Sequence, residues 1–355
     1  LQTGYVYGVE MSYHANLNQS EDHPEDPLRI FSIYNKLQQS GLLDDCVRLM
    51  CKKAHARDVL MVHTEEHFKN IKSTKSMTRN QLLDMENSHD SIYLNGHTYE
   101  CSMYAIGSVI EACRAVIENR VKNAFAIVRP PGHHAETEHA MGFCVMNNVA
   151  IATRYCMTHL DTKKVMILDW EIGNGTQEIF SDDPNVLYVS LHRFENGSFY
   201  PQNQKGRADY FGSKRGKGKT VNVPWPKEGM GDAEYIYAFE QVIMPIAREF
   251  APSLVIVSAG FDAAHGDHIG QCEVTPAGYG QMTHMLMSLA NGKVVMALEG
   301  GYNINSIAVS SVGCMAVLKG EAPEPIKPDS RPSEICKETI AIVKKLQATQ
   351  WKSLA

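Results

Sequence analysis

No apolar run in this chain approaches the roughly 20 residues that a membrane-spanning helix needs, and no signal peptide opens it. A soluble, intracellular protein with no membrane partner is expected. Positive charge is also short, with 34 Lys and Arg against 40 Asp and Glu, a net charge of −6 and a pI of about 6.2. That balance argues against direct nucleic-acid binding through a basic field and suits a cationic peptide better. The one basic run, Lys214-Arg215-Gly216-Lys217-Gly218-Lys219, reads as a solvated loop. The nine cysteines are odd in number and never form Cys-x-x-Cys, so free thiols in a reducing compartment are expected rather than disulfides or a cysteine zinc site. Gly173-Asn174-Gly175 lacks the third glycine of a dinucleotide fingerprint, and neither a Walker lysine motif nor a Gly-x-Ser-x-Gly elbow is present. Nucleotide-phosphate and serine-hydrolase chemistry therefore lose their support.

What the chain does have is a repeated grammar. The apolar run Ala124 to Val128 stops at Arg129-Pro130-Pro131-Gly132-His133-His134, which reads as a buried strand ending in a rigid turn that carries two imidazoles. Val165 to Leu168 ends at Asp169, and Val186 to Val189 at Ser190-Leu191-His192. Leu254 to Val257 runs to Gly260-Phe261-Asp262, and Val294 to Leu298 to Glu299-Gly300-Gly301-Tyr302. Helical spacing fills the intervals, notably from Ala233 to Phe250 after an Asp232 cap and from Pro276 to Leu289 after a Thr275 cap. Gly4 to Val9 alternates like a strand, and Asp26-Pro27 opens a helix with Ile30, Ile33, Tyr34 and Leu37 on one side. Alternation of this kind predicts an α/β fold, a single domain built on a mainly parallel sheet with helices on both faces. No linker splits the chain, so residues 1–325 are read as the body of the domain. Residues 326–355 form a helical extension packed on its side, with Ile335, Ile340, Ile342 and Leu346 on the apolar stripe.

In such sheets the carboxyl ends of the strands carry the chemistry. Singly, each polar residue there reads as a turn former or a helix cap. Together, His133, His134, Asp169, Asp262 and Tyr302 offer metal-binding carboxylates, proton-moving imidazoles and an oxyanion-stabilising hydroxyl, the elements of a metal amidohydrolase.

These residues lie in segments whose order and spacing resemble zinc-dependent histone deacetylases of class II, fungal members especially. The segments are His23-Pro24-Glu25-Asp26-Pro27, Arg129 to His134, Gly142-Phe143-Cys144, Gly173 to Gln177, Ser190-Leu191-His192, Ser258 to Ala263 and Leu298 to Tyr302. The resemblance covers nearly the full length and implies the arginase/deacetylase fold, with residues 1–325 as the catalytic domain. It implies that His134 is the general base and acid, that His133 is its electrostatic partner, and that Tyr302 stabilises the tetrahedral intermediate. Asp262 matches a zinc ligand, Asp169 and Asn174 match the groups that orient His133 and His134, and Phe143 and Tyr200 match the tunnel walls for acetyl-lysine. Ile269 and Gly301 complete that tunnel. Arg29 matches a residue of the acetate exit path, and Asp169, Ser190 and Leu191 match part of a structural potassium site. The implied partners are acetylated histone tails, other acetyl-lysine proteins and subunits of a repressor complex, with a nuclear location and a second one in the cytoplasm.

The chain departs from this family at one point. The family motif Asp-x-Asp-x-His-His-Gly, whose second Asp and first His hold zinc, is reduced to Asp169-Trp170-Glu171-Ile172-Gly173. Aligned from the strand side, Glu171 replaces the ligand Asp. Aligned from the glycine side, Asp169 becomes that ligand, Glu171 takes the place of the ligand His and Ile172 is an apolar stand-in. Either way the imidazole ligand is lost, and carboxylates alone suit hard cations better than zinc. Three functions follow: a lysine deacetylase, silenced as it stands by this motif; a non-catalytic acetyl-lysine-binding or scaffold module; and an acetylpolyamine amidohydrolase. The last is disfavoured because the apolar Ile269 stands where an acidic gatekeeper is needed.

Overall fold

The computed structural model describes residues 1–18, 22–171 and 173–355. The apolar runs become strands β1 (Gly4–Tyr7), β2 (Val47–Arg48), β3 (Ala124–Ile127), β4 (Val165–Asp169), β5 (Val186–Arg193), β6 (Thr220–Trp225), β7 (Leu254–Ala259) and β8 (Val294–Leu298). They form one sheet in the order β2-β1-β3-β8-β7-β4-β5-β6, and every neighbouring pair is parallel. β3, β4, β7 and β8 are buried along their whole length. That is why they read as continuous apolar runs rather than alternating ones: helices cover both faces of a parallel sheet. The helix Ile304–Lys319 packs between Leu28–Gln39 and Pro276–Met287, while Thr98–Ile117 packs on Asn148–His159. No helix among the described residues is long and apolar enough to cross a membrane, and all nine thiols are free.

Three local expectations change. The segment expected as one helix after Asp232 is two, Asp232–Ala238 and Met244–Phe250, joined by a π turn at Phe239–Ile243. Pro245 is the physical reason, since it has no N–H to donate back one turn and its ring would strike the carbonyl four residues earlier. Gly231 takes the cap position there, and the Asp232 carboxylate instead accepts from Thr275 N–H at 2.7 Å and its hydroxyl at 2.6 Å. In the C-terminal helix Glu334–Gln347, the buried stripe is Cys336, Ile340, Val343 and Gln347, and Ile342 is 57% exposed. This helix lies along β6, with Gln347 Nε2 donating to Thr220 O at 3.3 Å.

Candidate active site

The four central strands, in the order β3-β8-β7-β4, each deliver chemistry at the same end of the sheet. His133 and His134 follow β3, Asp169 closes β4, Asp262 follows β7 and Tyr302 follows β8. The β3 turn is held from β8: the buried Glu299 carboxylate accepts from Gly132 N–H at 2.7 Å and His133 N–H at 3.1 Å through one oxygen, and from the Ser258 hydroxyl at 3.3 Å through the other.

Both imidazoles are oriented through Nδ1. His133 Nδ1 is 3.0 Å from Asp169 Oδ2, and His134 Nδ1 is 2.7 Å from Asn174 Oδ1, whose amide donates on to Glu136 at 3.1 Å. Burial, reinforced by His134, pushes the pKa of His133 down to about 3; burial also lowers that of His134, against the hydrogen bond it donates to Asn174. Both rings are neutral at ordinary pH, so each can accept a proton.

Glu171 and Asp262 form the acidic floor. A methyl placed on Gly300 would lie 2.9 Å from Asp262 Oδ2 and 3.0 Å from both Glu171 Oε2 and the Tyr302 hydroxyl, so these three oxygens converge where only glycine leaves room. Glu171 Oε2 and Asp262 Oδ1 are buried and have no hydrogen-bond partner among the described residues. Desolvation, reinforced by the charge of Glu171, raises the Asp262 carboxyl well above the usual range, and desolvation, reinforced by Asp169 and Glu299, raises that of Glu171 to about 8. Crowded, desolvated carboxyls of this kind take up either protons or a cation.

A cavity of about 260 Å³ opens onto this floor, lined by His134, Glu171, Asp262 and Tyr302 below and by Phe143, Tyr200 and Ile269 above. Phe143 stands perpendicular to Tyr302 with ring centroids 5.7 Å apart, and Tyr200 perpendicular to His134 at 5.2 Å. Phe143 sits at φ 65, a left-handed backbone that is strained for a bulky residue and is held by its N–H donating to Ser91 O at 2.8 Å. Gly301 does not line the cavity: its carbonyl turns back to Arg29 Nε at 2.7 Å, and Arg29 also donates to Glu299 O at 2.5 Å and to the Glu25 carboxylate at 2.8 Å. Arg29 is fully buried beneath Tyr302. Ser190 and Leu191 lie on β5, where Ser190 pairs with Asp169 and its hydroxyl donates to Glu171 O at 3.1 Å.

A family model described as the histone deacetylase domain matches residues 23–318. The chain belongs to the histone deacetylase family. It is 47% identical over 373 residues to histone deacetylase HDA1 of Saccharomyces cerevisiae, covering 99% of this chain and 53% of that protein. It is 46% identical over 378 residues to histone deacetylase HDA1 of Candida albicans, covering 100% of this chain and 45% of that one. The chain thus spans about half the length of these relatives. The crystal structure of the HDA15 HD domain superposes with a TM-score of 0.90 at 41% identity, covering 99% of this chain and 96% of that one. The parallel sheet expected from the strand grammar, and the arginase/deacetylase fold implied by the resemblance, are what is observed.

Within this histone deacetylase fold the shortened motif adopts the strand-side arrangement. β4 is locked in register against β5 and β7 through Asp169, which pairs with Ser190 and Ser258, so the missing residues are absorbed beyond the strand. Asp169 therefore stays beneath His133, with Oδ2 on that ring and Oδ1 accepting from Glu171 N–H at 3.1 Å, and Glu171 is the carboxylate that converges with Asp262, the place the glycine-side alignment gave to Asp169. Ile172, the apolar stand-in of that alignment, lies outside the described residues. Gly173 is forced: a methyl there would sit 2.3 Å from Asp169 Oδ2. Two organising carboxylates were not foreseen from the motifs. Glu299 is one. Asp267 is the other, accepting from Ile269 and Gly270 N–H at 2.9 and 3.0 Å and from Tyr302 and Asn303 N–H at 2.7 and 3.3 Å, which ties the cavity rim to the tyrosine. The available signal was Gly266-Asp267, a turn-forming pair two residues before the rim residue Ile269.

Proposed function

We propose that residues 1–325 are the catalytic domain of a protein lysine deacetylase, with residues 326–355 as its packed extension, and that its substrates are acetylated histone tails in transcriptional repression. The observation that carries this reading is the cavity whose walls are Phe143, Tyr200 and Ile269 and whose floor holds His134, Asp262 and Tyr302. An aliphatic lysine stem fits between the rings, and the acetyl carbonyl then meets the Tyr302 hydroxyl, which donates to the oxyanion. With its Nδ1 committed to Asn174, His134 offers Nε2 as the base that takes a proton from the attacking water and returns it to the leaving amine. His133, backed by Asp169, supports that transfer. Arg29, holding the Gly301 turn, borders the exit for acetate, and Asp169, Ser190 and Leu191 are the proposed potassium site. A nuclear location with a cytoplasmic pool, and assembly with repressor subunits, belong to the same proposal.

Zinc supplies a family member with a polarised carbonyl and an activated water. The donors here do not match that centre: Glu171 and Asp262 remain, and the imidazole that the family places beside them is missing. A catalytic zinc usually has three protein ligands, so little hydrolysis is expected from the chain as it stands, and the same motif favours acetyl-lysine binding as the second reading. The test compares this chain, its length confirmed by intact mass, with one carrying His-His inserted between Ile172 and Gly173 together with Glu171→Asp. Both should bind an acetylated histone-tail peptide in preference to its unacetylated form, and only the restored chain should hydrolyse it. A fully zinc-loaded restored chain with no turnover, or no preference for the acetylated peptide, would refute the proposal. Full activity in the unrestored chain would refute the account of the motif.

A further inference from the structure

The shortened motif leaves both histidines pre-set as metal ligands. An acceptor at Nδ1 keeps the ring proton there and presents Nε2 with its lone pair, which is how ligating histidines are normally held. His133 has this from Asp169 and His134 from Asn174. Both Nε2 atoms face the same carboxylate, His133 at 3.4 Å from Glu171 Oε2 and His134 at 3.8 Å from Glu171 Oε1. The ligand atoms of these three residues all lie within 4.8 Å of one another. In a tetrahedron with bonds of about 2.0–2.2 Å, neighbouring donor atoms stand about 3.3–3.6 Å apart, so the two histidine–Glu171 separations of 3.4 and 3.8 Å are close to what a shared ion requires. Glutamate in place of aspartate adds one methylene, about 1.5 Å of reach, in a residue that borders both histidines.

A further donor, outside that three-residue cluster, is Asp262, whose Oδ2 converges with Glu171 Oε2 beside Gly300 and whose Oδ1 is buried without a hydrogen-bond partner among the described residues. Two carboxylates also balance a divalent charge. We infer that this chain binds a zinc-type divalent cation through His133 Nε2, His134 Nε2 and Glu171, with Asp262 moving in as the fourth donor when the ion binds, a two-imidazole, two-carboxylate centre displaced toward the histidine pair. The inference rests on the reading of this cavity as the family's metal-containing site. Its consequence is chemical: an imidazole whose lone pair is on the metal cannot take a proton from water. The tunnel rings and the Tyr302 hydroxyl are untouched, so the metal-loaded chain holds acetyl-lysine without cutting it.

The test uses the chelator-stripped chain titrated with Zn²⁺ and Co²⁺, and X-ray absorption of the zinc form. One metal per chain and two coordinated imidazoles are expected. His133→Ala and His134→Ala should each weaken binding about 100-fold or more, beyond the roughly 10–100-fold that loss of a ligand's outer partner costs. In the restored chain described above, His134→Ala should leave metal content unchanged. Circular dichroism of the metal-free variants checks their folding, and the absorption spectrum of the unaltered chain stands without them. A spectrum lacking imidazole, unaltered affinity in folded His134→Ala, or no stoichiometric uptake would each overturn the inference. If two imidazoles are found but acetyl-lysine peptide is not bound, the metal centre stands and the deacetylase reading fails. Peptide binding without imidazole coordination would overturn the metal centre and leave the deacetylase reading standing.

Discussion

Glu25→Gln probes the buried charge network beneath the site. Glu25 is fully buried, and its carboxylate accepts from Arg29 Nη1 at 2.8 Å, Arg129 Nε at 2.9 Å, Arg129 Nη2 at 2.5 Å and the Tyr93 hydroxyl at 2.6 Å. Glutamine keeps one acceptor oxygen, turns a donor toward a guanidinium and leaves two buried cations without their counter-ion. Breaking a buried pair from one side costs about 3–5 kcal/mol, and that loss is expected in urea unfolding at pH 7. The pH dependence adds a second signature. Burial alone would raise the Glu25 carboxyl, but Arg129 and Arg29 outweigh it and hold the group well below the usual range. A depressed carboxyl stabilises the fold above its unfolded pKa of 4.5 and loses that stabilisation as pH falls. The gap between wild type and Glu25→Gln should therefore shrink by about 2 kcal/mol between pH 6 and pH 3. A loss under about 1 kcal/mol, or a gap that does not change with pH, would refute the reasoning.

Three other expectations follow from the same geometry. In the restored chain, Tyr302→Phe should lower turnover by about 100- to 1000-fold with the fold intact, and an unchanged rate in a peptide assay would exclude the hydroxyl from the reaction. Asp267→Asn removes one of two oxygens that together take four backbone N–H bonds, so a loss of about 2–4 kcal/mol and faster proteolysis of the 266–271 rim are expected; an unaltered cleavage pattern would count against that tie. Burial depresses His14 and His63 to about 3 and His192 to about 4, so each is neutral in the fold and binds its proton only on unfolding. Stability should then fall as pH drops below 6.5, by about 2 kcal/mol per histidine at pH 5, and denaturation midpoints that stay flat from pH 7 to 5 would contradict it.

Strands buried on both faces were readable because parallel sheets write them as unbroken apolar runs ending in one polar residue, as at Leu168-Asp169 and Leu298-Glu299. β6 was not readable. Thr220-Val221-Asn222-Val223-Pro224-Trp225 alternates weakly and contains a proline, which is tolerated because β6 is the sheet's edge. The helix Ile304–Lys319 escaped for the opposite reason: wedged between two other helices, it is apolar nearly all round and shows little 3.6-residue contrast. At the site, motif spacing located the histidines, Asp262 and Tyr302. What it could not decide was which way the shortened loop gives. That depends on a register shared by β4, β5 and β7, so only three-dimensional pairing chooses between Asp169 and Glu171.

The separation between a sheet built from residues 4–298 and a loop of a few residues beyond β4 has a consequence in the cell. Folding surveillance senses exposed apolar surface and populations of the unfolded chain, and the register of β4 against β5 and β7 ends before the loop, so the sheet's own contribution to both does not depend on it. A chain with the shortened loop is thus expected to persist on the strength of its sheet, and a turnover in cells faster than that of the restored chain would refute this.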